Sequence, residues 1–405
     1  MNQQPTTSER ALGEAARDRI ACPACGGRAW KDFYEVDSVP AHACLQMPDR
    51  ETALAQPRGR LELALCLECG FVANTAFRPE LLDYSAQYEE TQGASPTFGE
   101  YARWLAGDWI ERYGLRDRRI LEIGCGKGEF LALICSMGNN RGIGFDPAYV
   151  AGRGPAGERV EFRAENYGEA HRDVAADFVC CRHTLEHIGP VADFLAMLRR
   201  NLEGRDDVVL GFEVPDLERI LIEGAFWDLY YEHCSYFTML SLENLFRNNG
   251  FDALRLQRVY GDQYLVIEAR PDGCGGPVDQ GEEMAGLAAA VDAFAERAAR
   301  EIRRWRAEIR SLHRRGRRAV LWGSGSKAVG FIATLGLADE IEAVVDINPR
   351  KHGKYMPGCA PPIVSPEWLR RKPIDLVIVM NPVYRDEIAR ELARLGVHAE
   401  TRVLR

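Results

Sequence analysis

The densest chemistry in the chain lies in Phe226-Trp-Asp-Leu-Tyr230-Tyr231-Glu232-His233-Cys-Ser-Tyr236-Phe237, where a carboxylate and an imidazole sit among phenols and apolar rings. A core does not tolerate unpaired Asp, Glu and His. The run therefore reads as a site in which His233 takes a proton, steadied by Glu232 and Tyr230. Packing of the rings as plain core is the competing reading. A second polar turn, Arg182-His183-Thr-Leu-Glu186-His187, offers two imidazoles that exchange protons near neutral pH. A capping or satisfied core histidine is the alternative for each. Two cysteine pairs, Cys22-Pro-Ala-Cys25-Gly and Cys66-Leu-Glu-Cys69-Gly, supply four converging thiolates. Such a set closes a tetrahedral zinc site with no open position, so the metal is structural. His42 and Cys44, in the excursion between the pairs, read as loop or core residues.

The elements that position these groups begin with Arg119-Ile-Leu-Glu122-Ile-Gly124-Cys-Gly126-Lys-Gly128-Glu-Phe130, a buried strand, a glycine turn and a helix. Glycines let the backbone bring a ligand close to N–H groups at a helix N-terminus. The spacing is G-x-G-x-G, not the G-x-G-x-x-G of a dinucleotide site. The acid at the strand end suits a cationic ligand with an amino group and a sulfonium. A second strand, Arg141-Gly-Ile-Gly-Phe-Asp146, ends in an acid that should reach ribose hydroxyls. Strand, turn, helix, strand and acid together resemble a class I methyltransferase, which implies S-adenosylmethionine held by Glu122, Gly124, Gly126, Gly128 and Asp146.

Later strands follow in order. Glu158 to Asn166 brings Glu165 toward the adenine, Ala176 to Cys181 leads into the histidine turn, and Asp207 to Pro215 is the fifth. Ligands of an open parallel sheet sit beyond the carboxyl ends of its strands, so His183 and His187 face the cofactor and the transferred methyl. Tyr84-Ser-Ala-Gln-Tyr88 lies in a loop leading into this domain, and Tyr88 is the residue expected to cover the cofactor.

Paired C-x-x-C-G, the G-x-G-x-G domain, the Leu185-Glu-His187 turn and Tyr230-x-Glu-His-x-x-Tyr236-Phe237 resemble the three-domain C-methyltransferases that act on nucleotide-linked deoxysugar ketones. The resemblance covers most of the chain. It implies His233 as general base, with Tyr230 and Glu232 orienting it and the substrate, joined by His187 and Tyr88. In the hairpin where the sugar enzymes carry a His-Gly-Gly-Ser type turn, this chain has Val259-Tyr-Gly-Asp-Gln-Tyr264. A sugar is therefore one acceptor class among several, and O- or N-methylation of another small molecule stays open.

Residues 270 to 280 are a Gly/Pro linker, followed by a long helix from about Glu282 to Arg315. Arg318-Ala-Val-Leu-Trp-Gly323-Ser-Gly325-Ser-Lys-Ala328 then opens a second Rossmann-like unit, and Asp346 stands where a ribose acid would. By motif it could bind a dinucleotide; by resemblance it is a substrate-side domain. The expected architecture is α/β, with a zinc-binding module over 1–78, a methyltransferase domain over 79–270 and a Rossmann-like substrate-side domain over 271–405. The first twenty residues read as a partly disordered lead-in.

A chain of 405 residues with net charge −9, 46% apolar and 27% charged residues is an ordinary globular composition. The acidic balance speaks against a zinc-ribbon RNA methyltransferase or any other broad phosphate-binding surface. No apolar run approaches a membrane span and no signal core opens the chain, so the cytoplasm is expected. The expected partner is a small-molecule substrate, with a nucleotide-sugar as one candidate, and no nucleic acid and no membrane; the oligomeric state stays open.

Overall fold

The computed structural model describes residues 20–84, 88–153, 159–271 and 281–405. Most of the expected lead-in and linker thus lies outside the described residues. The chain folds as α/β around three sheets, two of them Rossmann-like.

The first sheet is antiparallel. Strand β1 (Trp30–Pro40) connects through the short helix α1 (Arg50–Leu54) to β2 (Arg58–Cys66), which pairs with β3 (Val72–Asn74). Both cysteine pairs flank these strands.

The second sheet holds the glycine turn. Helix α2 (Pro96–Tyr113) starts where Ser95 accepts from the Phe98 N–H, with Pro96 at the first turn. It buries Leu105, Ala106 and Trp109 against the sheet. Strand β4 (Arg119–Ile123), helix α3 (Glu129–Gly138), β5 (Arg141–Phe145), β6 (Val160–Arg163) and β7 (Phe178–Arg182) follow. Next come α4 (Val191–Asn201), β8 (Val209–Pro215) and α5 (Leu217–Glu223). After the two-residue strand β9 (Ser235–Tyr236), helix α6 (Met239–Asn248) and the hairpin of β10 (Asp252–Val259) and β11 (Tyr264–Arg270) complete the unit. The order is β10-β11-β8-β7-β4-β5-β6, with β4 to β8 parallel and β11 antiparallel to β8. Strands β7 and β4 are almost wholly buried, as a strand covered on both faces must be.

Strand β9 does not join this sheet. It pairs with β3 and so becomes the fourth strand of the first sheet, although it lies just beyond His233.

Helix α7 (Gly281–Arg314) buries a stripe of Leu287, Val291, Phe294, Ala298, Trp305, Ile309 and Leu312 at helical spacing. Phe294 meets Tyr34 of β1 edge-on at 5.2 Å, and Trp305 meets Phe331 at 5.5 Å. The third sheet is parallel, in the order β14 (Ile363–Val364), β13 (Ala343–Val345), β12 (Ala319–Trp322), β15 (Leu376–Val379), β16 (Glu400–Val403). Helices α8 (Ser326–Leu335) and α9 (Arg385–Leu395) belong to it. One apolar core runs from Val39 in β1 through Trp227 to Leu404, so the first and third sheets share their packing. Among the described residues no helix is long and apolar enough to cross a membrane.

Candidate active site

The glycine turn has the form a close-fitting ligand requires. Gly124 and Gly128 hold φ of 71° and 81°. A Cβ at Gly124 would fall 1.9 Å from Thr184 Oγ1, and one at Gly128 would fall 2.3 Å from the Phe162 ring. Only glycine fits either position. Glu122, at the end of β4, is buried, and its Oε2 has no partner among the described residues. Burial pushes its carboxyl up to about 7. These features fit an adenosyl sulfonium ligand.

Asp146 closes the same turn. Its Oδ2 accepts from the Gly126 N–H at 2.9 Å and its Oδ1 from the Ala148 N–H at 2.7 Å. Glu165 behaves differently from expectation. It lies beyond the end of β6, exposed, 3.4 Å from His171 Nε2. Its carboxylate is drawn to that histidine, with no contact that fixes it on the cradle.

His233 is buried beside Tyr230, ring centroids 4.3 Å apart, and His187, 4.8 Å apart. Its ring nitrogens make no hydrogen bond among the described residues. Burial, with the neighbouring His187, His183 and Lys327, holds its pKa well below the ordinary histidine value. The imidazole is neutral at pH 7, with a lone pair to offer.

The expectation that Glu232 steadies His233 needs correction. Glu232 Oε1 accepts from His42 Nδ1 at 2.8 Å and from the Ala43 N–H at 3.0 Å, and Oε2 accepts from Tyr88 Oη at 3.0 Å. Three donors from the N-terminal part of the chain saturate the carboxylate. Tyr88 is correspondingly a ligand of Glu232, and its hydroxyl is not free to cover a cofactor. His42 is the residue that sequence reasoning missed. Its Nε2 accepts from the Asp83 N–H at 2.7 Å, which leaves the proton on Nδ1, facing Glu232.

The Tyr84 hydroxyl lies 3.0 Å from His187 Nδ1, and the same nitrogen is 3.1 Å from the Glu232 carbonyl oxygen. Tyr84 belongs to the same loop as Tyr88, and nothing in its spacing distinguishes the two.

His183 also differs from expectation. It follows β7 with φ of 49°, a left-handed conformation uncommon outside glycine. Its Nε2 lies 2.7 Å from Glu213 Oε1 and its Nδ1 3.6 Å from Glu186 Oε1. Burial pulls its pKa down, but Glu213 and Glu186 outweigh that and raise it to about 9. It is a charged ring held between carboxylates, not a free cofactor ligand. Arg182 completes the group, its Nε donating to Glu213 Oε2 at 2.8 Å.

A cavity of about 230 Å³ opens between Tyr230 and Tyr264 and the third sheet. Tyr230, Tyr264 and Cys44 line one side; the Gly323–Lys327 turn and Asn381 line the other. Asp346 closes the turn as Asp146 closes the first, accepting from the Ser324 N–H at 2.9 Å and the Asn348 N–H at 2.8 Å.

The four cysteine sulfurs lie within 4.8 Å of one another, with Cys22 to Cys69 at 3.8 Å and Cys25 to Cys66 at 3.7 Å. Sulfurs bound to one tetrahedral zinc stand about 3.8 Å apart. The donor set fits that ion, and all four thiols are free.

Residues 98–256 match the family model of a methyltransferase domain, and residues 278–401 match that of a C-methyltransferase C-terminal domain. The C-methyltransferase NovU of Streptomyces niveus is 29% identical over 398 residues, covering 91% of this chain and 90% of that protein. Among solved structures, the 1,6-didemethyltoxoflavin-N1-methyltransferase of Burkholderia thailandensis is 23% identical at a TM-score of 0.34, covering 44% of this chain and 82% of that one. The magnesium protoporphyrin IX methyltransferase of Synechocystis PCC 6803 is 15% identical at a TM-score of 0.32, covering 43% and 83%. Both domain matches fall in order along the chain and the likeness to a C-methyltransferase spans nine-tenths of each partner, which supports an S-adenosylmethionine-dependent C-methyltransferase.

Proposed function

We propose that the chain methylates a carbon α to a carbonyl in a nucleotide-linked sugar ketone, with His233 as the base. The carrying observation is a buried, neutral imidazole whose nitrogens make no hydrogen bond among the described residues, set against Tyr230 at the wall of the cavity. When bound, S-adenosylmethionine supplies an electrophilic methyl group at the glycine cradle of Glu122, Gly124, Gly126, Gly128 and Asp146.

The substrate carbon acid must lose a proton before it can accept that methyl. His233 takes it. Burial keeps the Tyr230 hydroxyl protonated, its pKa held well above the ordinary phenol value, so it donates to the oxygen of the forming enolate. His187 presents a bare Nε2, and donation therefore falls to Tyr230. Glu232 acts one step removed, fixing the backbone on which His233 stands. Much of the acceleration comes from holding carbanion and methyl in attack geometry.

The nucleotide part of the substrate fits the Gly323–Lys327 turn across the cavity, where a glycine turn opens helix α8. We assign zinc to Cys22, Cys25, Cys66 and Cys69, and divide the chain into working units at residues 78 and 270. Incubation with labelled S-adenosylmethionine and a nucleotide-linked 4-ketosugar tests the reading. Label should appear on the α carbon, and in deuterated water without methyl donor the same carbon should exchange its proton. His233→Ala should abolish both while S-adenosylmethionine binding persists; exchange at the parental rate in that variant sinks the assignment.

A further inference from the structure

We propose that Glu186, His187 and His233 form a second metal site, which takes a divalent transition-metal ion such as Zn²⁺ or Co²⁺ and halts methyl transfer when filled. One ligand atom from each residue lies within 4.8 Å of the others.

Each of the three offers a free donor. Glu186 is buried, and its Oε2 has no partner among the described residues. A carbonyl oxygen can only accept, so the His187 Nδ1 facing the Glu232 carbonyl at 3.1 Å carries the proton, and its Nε2 keeps a lone pair. An imidazole that donates its other N–H to a carbonyl is the usual state of a metal-bound histidine. His233 makes no hydrogen bond through its ring nitrogens among the described residues.

The surroundings continue the pattern. The second oxygen of Glu186 lies 3.6 Å from His183 Nδ1, and His183 is anchored by Glu213 at 2.7 Å. A ligating carboxylate that is itself held from behind is what orients a metal site. Two imidazoles and one carboxylate select Zn²⁺ or its neighbours over Mg²⁺ or Ca²⁺. Three protein ligands also leave one position open, unlike the four closed thiolates. Ligand atoms around a tetrahedral ion stand about 3.4 Å apart, so small side-chain rotations close the set.

The halt rests on the proposed role of His233, since a bound ion takes the lone pair that would accept the substrate proton. The binding itself does not.

The test uses the full-length enzyme with its cysteine site loaded with Zn²⁺, titrated with Co²⁺. The expected result is a visible cobalt spectrum without thiolate-to-cobalt charge-transfer bands, and loss of methyl transfer over the same titration. Glu186→Gln should weaken this binding at least about tenfold. His187→Gln should do the same, and unchanged S-adenosylmethionine affinity in both variants shows that the pocket is folded. Only thiolate charge-transfer bands, or Co²⁺ affinity unaltered in both variants, overturns the site. Co²⁺ binding with methyl transfer at full rate upholds the site and overturns the halt, and with it the base role of His233.

Discussion

At the residue scale the decisive property is the state of His233. Burial and neighbouring positive groups depress its pKa, so the unprotonated form persists as pH falls through the ordinary histidine value near 6.5 and is lost only lower down. A reaction that needs this base should keep its rate below pH 6.5. The acid limb of kcat against pH, measured at saturating substrate, should therefore sit below about 6.5; a limb at or above it contradicts the assignment. His42 has a different task. His42→Ala removes one of three donors to a buried carboxylate and should cost about 1–3 kcal/mol of stability with a fall in kcat. His42→Asn, whose amide N–H stands close to Nδ1, should restore most of both, as thermal unfolding and turnover will show. Residue types made His233 and Glu232 legible in the sequence, because ionisable groups amid aromatic rings must find partners or do chemistry. The partner of Glu232 was not legible. The His42 contact spans 190 residues of chain, and short-range spacing carries no trace of it.

At the element scale the glycine turn, the succession of strands along the chain and the cysteine knuckles could be anticipated, since each rests on local spacing. Strand β9 could not. Two residues have no periodicity, and their pairing with β3 depends on how the first sheet docks. The consequence is functional. The strand that follows His233 belongs to the sheet that the cysteine pairs flank, so loss of the proposed zinc should loosen the proposed base. Stripping zinc with a chelator should lower turnover in parallel with exposure of the cysteine thiols, and re-adding zinc should restore both. Thiol release with turnover intact would separate the two.

At the scale of the whole molecule the sheets are joined by buried polar contacts as well as by apolar core. Asp228, five residues before His233, pairs with Arg219 of α5 at 2.5 Å and with Lys327 at the start of α8. Removing one partner of a buried ion group typically costs about 3–5 kcal/mol. Burial pulls Lys327 down to about 8 despite Asp228, so it can discharge when its partner is lost. Asp228→Ala should therefore cost about 3 kcal/mol, the low end, read as a shift in denaturant midpoint. Gln263 and Asn381 exchange amide hydrogen bonds of 2.7 and 3.0 Å, tying the β10–β11 hairpin to the end of β15.

The shared strand has a bearing on engineering. A minimal biocatalyst cut to begin after β3 would keep β9 but strip away the edge it pairs with, baring β9 and apolar flank to self-association. A chimaera meant to inherit a relative's acceptor preference must therefore carry that relative's opening segment together with its histidine loop, since the two are a single folded object divided only by their order in the gene.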